Sequence, residues 1–138
     1  MIAPKNFLII LIATIAVSAI ILINPISEDD LDYANFKFDA VYLNDNSSVL
    51  ITFIDETGKS SFAILEILGM DQTFHKEFTI NDSSFSHLVP LDKIPKYGWK
   101  TTPVTLEITY DEFNILKMKT EIHDEGQNPP KIIFEYDG

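Results

Sequence analysis

The spacing of hydrophobic residues changes abruptly near position 25. Residues 7–23 read FLIILIATIAVSAIILI, a run of 17 residues without a charge or a proline. Beyond residue 33, hydrophobic and polar residues alternate in short runs, which is the period of a β-strand rather than of a helix. The pattern therefore predicts two unlike parts, an apolar N-terminal helix and a β-rich domain.

The N-terminal run has the length of a membrane-spanning helix. From Pro4 to Asn24 it covers 21 residues, or about 31 Å of helix, against a bilayer core of about 30 Å. Pro4 suits the first helical turn, and Pro25 ends the helix. A buried core helix, apolar on every face, would need a much larger protein around it. We therefore predict a membrane anchor in residues 1–25.

A cleaved signal peptide is the main alternative to an anchor. Its apolar core usually spans about 7–15 residues and ends at a small-x-small cleavage site. The run here is longer, and the residues that follow Leu22 are Ile-Asn-Pro-Ile-Ser, among which only Ser27 is small. An uncleaved anchor fits these residues better, and a secreted domain is the alternative.

The charged residues on either side of the run predict its orientation. Lys5 and the amino terminus precede it, and the next lysine is Lys37. Because cationic flanks stay in the cytoplasm, residues 26–138 are expected on the outer side of the cell membrane. Residues 26–32 would form a short acidic tether, and residues 33–138 would form the extracytoplasmic domain.

The outer domain is predicted to be all-β. In the segment VTLEITY, Val104, Leu106 and Ile108 point to one face and the polar residues between them to the other. Stretches rich in Asn, Asp, Ser and Gly, which favour turns, separate such runs. The predicted strands are 35–43, 49–55, 61–68, 73–80, 84–90, 104–110, 115–122 and 131–137. Seven or eight short strands at this spacing are typical of a two-sheet β-sandwich, in which the longer segment 90–103 would cross between the sheets.

Charge and composition narrow the range of partners and chemistries. All 21 acidic residues lie at or after Glu28, together with nine of the ten lysines and no arginine, so the chain beyond Ile23 carries a formal charge of −12. Binding to phosphate backbones needs clustered Lys and Arg, and we therefore expect no nucleic-acid partner. The chain has no cysteine, which excludes disulfides, thiolate catalysis and Cys-ligated zinc.

One order of residues resembles a known family. Ser84-Phe85-Ser86, then Trp99-Lys100, then Val104–Tyr110 are similar to the Ig-like β-sandwich repeats of archaeal cell-surface proteins. In those repeats a DGTFS turn and strand lead through a loop to WK and then to G-Y-T-V-x-A-x-Y. The match covers about residues 40–122, and Pro103 stands where the family has Gly. The resemblance implies an Ig-like surface domain; it implies no ligand and no catalysis.

No catalytic site and no cofactor site is predicted. His75, His87 and His123 lie on different strands or turns, and none forms a helical metal-binding pair. A nucleophile elbow of the Gly-x-Ser-x-Gly type is absent, so that Ser86 beside His87 does not indicate a hydrolase. We expect a protein that is not an enzyme.

The acidic turns are candidate binding sites for calcium. Asp29, Asp30 and Asp32 cluster before the domain, and Asp55-Glu56 and Asp124-Glu125 lie in predicted turns, where carboxylate oxygens suit Ca²⁺. However, no Asp-x-Asp-x-Asp-Gly loop is present, and acidic turns are commonly only solvated. No metal ligand is therefore assigned.

Two further features concern modification and binding. Asn-x-Ser sequons fall in predicted turns at Asn46 and Asn81, and because turns outside the membrane expose the acceptor amide, both are candidate N-glycosylation sites. Trp99, with Tyr97 beside it, is either an exposed binding aromatic or a plug at the end of the sandwich core. A lone Trp beside a strand start favours the plug.

Three functions are weighed against this pattern. The first is a single-pass, non-catalytic surface protein whose Ig-like domain binds an envelope protein, an S-layer or a polysaccharide through edge strands or end loops. The second is a stator-like or pilin-like component of an archaeal type IV filament, although Lys-Asn-Phe at 5–7 departs from a pilin processing site and Pro25 ends the helix early. The third, an enzyme or metal carrier, has no supporting residues. We expect the first.

Overall fold

The strands form where hydrophobic and polar residues alternate. The computed structural model describes residues 31–137, and nine strands lie within this range. They are β1 (Phe36–Leu43), β2 (Ser48–Asp55), β3 (Ser60–Ile67), β4 (Phe74–Thr79), β5 (Ser84–Pro90), β6 (Pro103–Tyr110), β7 (Asn114–Glu121), β8 (His123–Asp124) and β9 (Ile133–Asp137). Short 3-10 turns occupy Tyr33–Asn35 and Trp99–Thr101. In β6 every second residue is buried, as a strand with one face on the core requires.

The strands make two sheets. The first has the order β5-β2-β1-β8 and the second the order β4-β3-β6-β7-β9. Neighbouring strands are antiparallel, except that Val41 and Tyr42 of β1 pair in parallel with His123 and Asp124 of β8. The chain therefore leaves the second sheet after β7, pairs briefly with the edge of the first, and returns to the second as β9.

The inner faces of the two sheets pack into one hydrophobic core. Ile51 and Phe53 of the first sheet and Leu65, Leu106 and Leu116 of the second are almost inaccessible to solvent. Burying a side chain of this size stabilises the fold by about 1.5–3 kcal/mol relative to exposure. This core is the rigid support on which the end loops are held.

The prediction of an all-β, two-sheet sandwich is confirmed. Each of the eight predicted runs contains one strand. The additional strand, β8, lies in the segment 123–130, which was expected to be a turn. β8 exists because it pairs with a strand about 80 residues earlier in the chain, and a local pattern cannot carry such a contact. The segment 90–103 connects the two sheets, as predicted.

The sandwich has two different ends. At the end where the chain enters, the entry end, the backbone N–H of Glu56 donates to the carbonyl of Asn35 (2.9 Å), and that of Asp55 donates to the carbonyl of Ser83 (2.7 Å). The turns after β2, β4 and β6 lie at this end. The opposite end, the distal end, carries the β1–β2 turn, the β3–β4 loop and the β5–β6 loop. The strand directions therefore place the longest loop away from the entering chain.

The predicted membrane anchor lies outside the described residues, as do Asp29 and Asp30 of the tether. The last two tether residues are described: Leu31 is buried against the core, and the carboxylate of Asp32 accepts a hydrogen bond from the backbone N–H of Ala34 at 3.0 Å. Within residues 31–137 no helix is long and apolar enough to cross a bilayer.

Candidate functional site

The β5–β6 loop, residues 91–102, dominates the distal end. Leu91 is buried at its start, and Trp99 is half-buried near its finish, with its ring centroid 5.1 Å from that of Tyr42. The Trp99 indole N–H donates to the carboxylate of Asp124 at 3.1 Å. Trp99 therefore closes the distal end of the core, which confirms the expectation of a plug rather than of an exposed aromatic.

Between these fixed points the loop turns other side chains outward. Ile94 is 56% exposed and Tyr97 is 80% exposed. Three lysines of the same loop are also exposed, and the ammonium of one of them, Lys96, lies 5.6 Å from the centre of the Tyr97 ring. We call this surface the distal patch; it consists of Lys93, Ile94, Lys96, Tyr97 and Lys100.

Within residues 31–137 the lysines of the distal patch lack acidic partners. Among the described residues none of Lys93, Lys96 and Lys100 lies within ion-pair distance of a carboxylate, whereas Lys37 at the entry end pairs with Glu56 at 2.7 Å. The loop contains one acidic residue, Asp92. The β5–β6 loop therefore carries a charge of +2 in a chain whose formal charge is −11. Such a surface can hold an anionic group by charge and an apolar one by contact.

A cleft adjoins the distal patch. It lies between the β3–β4 loop and the β5–β6 loop, is open to solvent and has a volume of about 1010 Å³. Apolar and polar groups both line it, among them Met70, Phe74, Leu91, Asp71 and Lys93. A mixed lining of this kind suits a ligand with apolar faces and polar substituents.

Glycine at position 69 lets the two loops meet. Gly69 has a φ of +78°, and a Cβ built on it would lie 1.9 Å from the carbonyl oxygen of Thr101. Beside it, the backbone N–H of Leu68 donates to the carbonyl of Pro103 at 3.0 Å. Next to this contact, the hydroxyl of the buried Thr102 has no hydrogen-bond partner within the described part of the chain. The two walls of the cleft are thus held by a backbone contact that only glycine permits.

The two predicted glycosylation sites lie at opposite ends. Asn46 is exposed in the β1–β2 turn at the distal end, and Asn81 is exposed in the β4–β5 turn at the entry end. Both asparagines are therefore accessible, as a sequon requires.

The three histidines do not come together. His75 lies on the outer face of β4, with its ring nitrogens 3.8 Å from Glu66 and 3.5 Å from Glu77. His87 lies 5.4 Å from the ring of Phe78. Burial lowers the pKa of His87, and the positive charge of Lys76 lowers it further, so its imidazole is neutral near neutral pH. His75 and His87 thus have separate roles, the first in pairing and the second in packing.

His123 forms an interaction that the local pattern does not predict. It is buried, and its Nε2 lies 2.7 Å from the carboxylate of Asp39 on β1, while its Nδ1 lies 3.0 Å from the carbonyl of Asp124. Asp39 and His123 are 84 positions apart. This pair joins β8 to the edge of the first sheet and so holds the segment that carries Asp124, the partner of Trp99.

Asp55, one of the acidic turn residues, is bound by groups of the protein itself. Asp55 is fully buried, and its carboxylate accepts five hydrogen bonds, from the backbone N–H and hydroxyl of Thr57, the backbone N–H of Lys59, and the backbone N–H and hydroxyl of Ser60, at 2.5–3.1 Å. Burial alone would raise the pKa of Asp55, but these bonds, led by that from the Ser60 hydroxyl, outweigh burial and lower it. In residues 31–137 no three His, Cys, Asp or Glu side chains are grouped to hold a metal ion.

Comparison of this chain with known protein families, with curated proteins and with solved structures finds no match.

Proposed function

We propose that this chain is a single-pass membrane protein whose acidic, Ig-like outer domain binds a component of the cell envelope without catalysing a reaction. The proposal joins two elements: the apolar run at residues 7–23, read as an uncleaved anchor, and the sandwich, read as a binding module. The observation that carries it is that the two ends of the sandwich differ. The entering chain lies at one end and the longest loop at the other.

The strand order supports an Ig-like domain. If β1 to β7 are lettered A, B, C, C′, E, F and G, one sheet contains A-B-E and the other C′-C-F-G. Immunoglobulin-like sandwiches distribute these strands between their two sheets in this way. In this reading, β8 is an addition beside strand A, and β9 is an addition beyond strand G. Domains of this architecture bind through their end loops and edges, and fold alone does not specify the ligand.

The start of the described chain supports a short connection to the membrane. Because Leu31 and Asp32 pack on the domain, residues 26–30 would be the only free tether. Five residues span at most about 18 Å. The entry end would then lie close to the bilayer, and the distal patch would face outward.

The orientation can be tested by labelling, because the natural chain has no cysteine. A single Tyr97→Cys variant should react with a membrane-impermeant maleimide on intact cells. A single Asn6→Cys variant, on the other side of the predicted anchor, should react only after lysis. Equal labelling of both variants on intact cells, or of neither, would contradict the proposed topology.

The same variants locate the binding end. A maleimide that carries a photoreactive group should capture an envelope component from Tyr97→Cys. Phe113→Cys is the matched control, because Phe113 is 82% exposed and Tyr97 is 80% exposed, but Phe113 lies in the β6–β7 turn at the entry end. Capture from Phe113→Cys alone would place binding at the entry end of the domain and contradict this proposal. Capture of no component from either position, with topology as expected, would argue against an envelope partner.

A further inference from the structure

We propose that the distal patch binds a carboxylate-bearing polysaccharide, with the three lysines holding its anionic groups and the Tyr97 ring and Ile94 contacting its sugar rings. This inference rests on the proposed function in one respect only, namely that the distal end is the binding face. It adds the chemical class of the partner, which neither the fold nor the anchor specifies.

The charge of the β5–β6 loop favours an anionic ligand at this surface. The β5–β6 loop carries Lys93, Lys96 and Lys100 against a single Asp92, while the chain as a whole carries −11. Repulsion from the rest of the domain turns an anionic polymer away from other faces. Because these lysines have no carboxylate partner among residues 31–137, they need not break an existing ion pair to bind a new one.

The type of cation favours a hydrated polymer over a protein surface. Protein–protein interfaces are enriched in Arg and depleted in Lys, and Arg is the residue that pairs with carboxylates through two parallel bonds. The distal patch has three lysines, and the whole chain has no arginine. Lysine acts as a mobile, hydrated point charge, which suits carboxylates that are spaced along a flexible chain.

The exposed apolar side chains supply the second half of the recognition. The face of an aromatic ring is electronegative, and the C–H groups on one side of a sugar ring carry a small positive charge, so the two attract. Tyr97 is 80% exposed, and the ammonium of Lys96 lies over its ring, 5.6 Å from the ring centre. A sugar that stacks there would place its carboxylate within reach of the lysine.

The cleft restricts how such a chain can lie. Its lining includes Asp71 and Asp92 as well as Lys93, Lys96 and Ile94. Carboxylates of the polymer must avoid the two aspartates and point toward the lysines, while uncharged ring faces can enter the cleft. Binding should therefore require both the cations and the apolar contacts, and removing either should weaken it.

The test uses the full-length protein in a neutral detergent and immobilised polygalacturonate, at about 0.1 M ionic strength. Dextran serves as the neutral polysaccharide control, and polyglutamate serves as an acidic polypeptide. The variants are Lys93→Gln/Lys96→Gln/Lys100→Gln in the patch and Lys117→Gln/Lys119→Gln/Lys131→Gln outside it, which remove the same charge. Tyr97→Ala and Phe113→Ala form the second matched pair. Circular dichroism melting curves check that each variant is folded.

We expect binding to polygalacturonate and none to dextran, a loss of about tenfold or more in the patch lysine variant, and less than about twofold in its control. Tyr97→Ala should lose affinity and Phe113→Ala should not. Equal losses in the two lysine variants would mean that only net charge matters and would overturn the inference. Preference for polyglutamate, or no binding to polygalacturonate by a folded protein, would also overturn it. These results are independent of the maleimide labelling. A failure to bind polygalacturonate would leave the proposed membrane topology unaffected, and a failed topology test would leave the binding result unaffected.

Discussion

Replacing Gly69 by alanine should test how the two loops of the distal end are held together. A Cβ at this position would lie 1.9 Å from the carbonyl oxygen of Thr101. No rotation of a side chain relieves this overlap, because the atom that it meets belongs to the backbone. The β3–β4 loop would have to move away from the β5–β6 loop, against the hydrogen bond from Leu68 to Pro103.

The matched control is Gly126→Ala. Gly69 and Gly126 both have a φ of +78°, but a Cβ on Gly126 would meet nothing within 4 Å. The shared cost of placing alanine at a positive φ is about 1–2 kcal/mol. Overpacking adds typically about 1–3 kcal/mol at a site such as Gly69. Gly69→Ala should therefore lower the free energy of unfolding by about 2–5 kcal/mol, and Gly126→Ala by about 1–2 kcal/mol.

Urea unfolding of the full-length protein, followed by fluorescence, measures this difference. Trp99 is the single tryptophan of the chain and lies at the end that Gly69→Ala disturbs. A difference between the two variants below about 0.5 kcal/mol, which is the size of an ordinary surface substitution, would refute the reasoning. It would mean that the two loops are not in contact in solution and that the cleft between them has no fixed shape.

Three further substitutions test single interactions. Asp55→Asn should lower the free energy of unfolding by about 3 kcal/mol near neutral pH, because hydrogen bonds to a buried charge are lost. Since the pKa of Asp55 in the folded protein lies below the ordinary 3.8, this stability is present above about pH 4 and is lost as the pH falls through the folded pKa. The stabilities of the two proteins should therefore converge in acid denaturation. His123→Leu should lower the free energy of unfolding, measured in urea, by about 1–2 kcal/mol, since it leaves the Asp39 carboxylate without its partner at 2.7 Å. An unchanged midpoint of urea unfolding would contradict this. Lys76→Val should cause self-association in sedimentation experiments, because it removes an inward-pointing charge from the edge strand β4, whereas Glu77→Val on the outer face should cause less.

Alternation was sufficient to predict the strands because burial acts on every second residue. In β6, Val104, Leu106 and Ile108 are buried, as their spacing indicates. The runs 49–55 and 61–68 are apolar on both faces, and the strands that they form, β2 and β3, each have a neighbouring strand on both sides. The hydrophobic pattern thus contains the strands and their inner faces.

Long-range pairing and loop direction could not be predicted in this way. β8 needs the partner β1, and the pair Asp39–His123 joins residues 84 positions apart, so neither leaves a local signal. In the β5–β6 loop, Tyr97 and Trp99 are both aromatic and lie two positions apart, yet Trp99 packs on Tyr42 while Tyr97 is 80% exposed. The hydrogen bond from Trp99 to Asp124 helps to hold Trp99 against the core, and the pairing of β8 with β1 positions Asp124.

The charge of the β5–β6 loop is opposite in sign to that of the whole chain, and this leads to an unusual dependence on salt. At about 0.1 M ionic strength the screening length is about 10 Å, and a ligand at the patch responds mainly to nearby charges, to which the β5–β6 loop contributes +2. At about 0.01 M the screening length is about 30 Å, so the negative charge of the whole domain reaches the patch and opposes an anionic ligand. Attraction to a polyanion should therefore pass through a maximum at intermediate salt, whereas a uniformly basic surface would bind more tightly at every step of dilution.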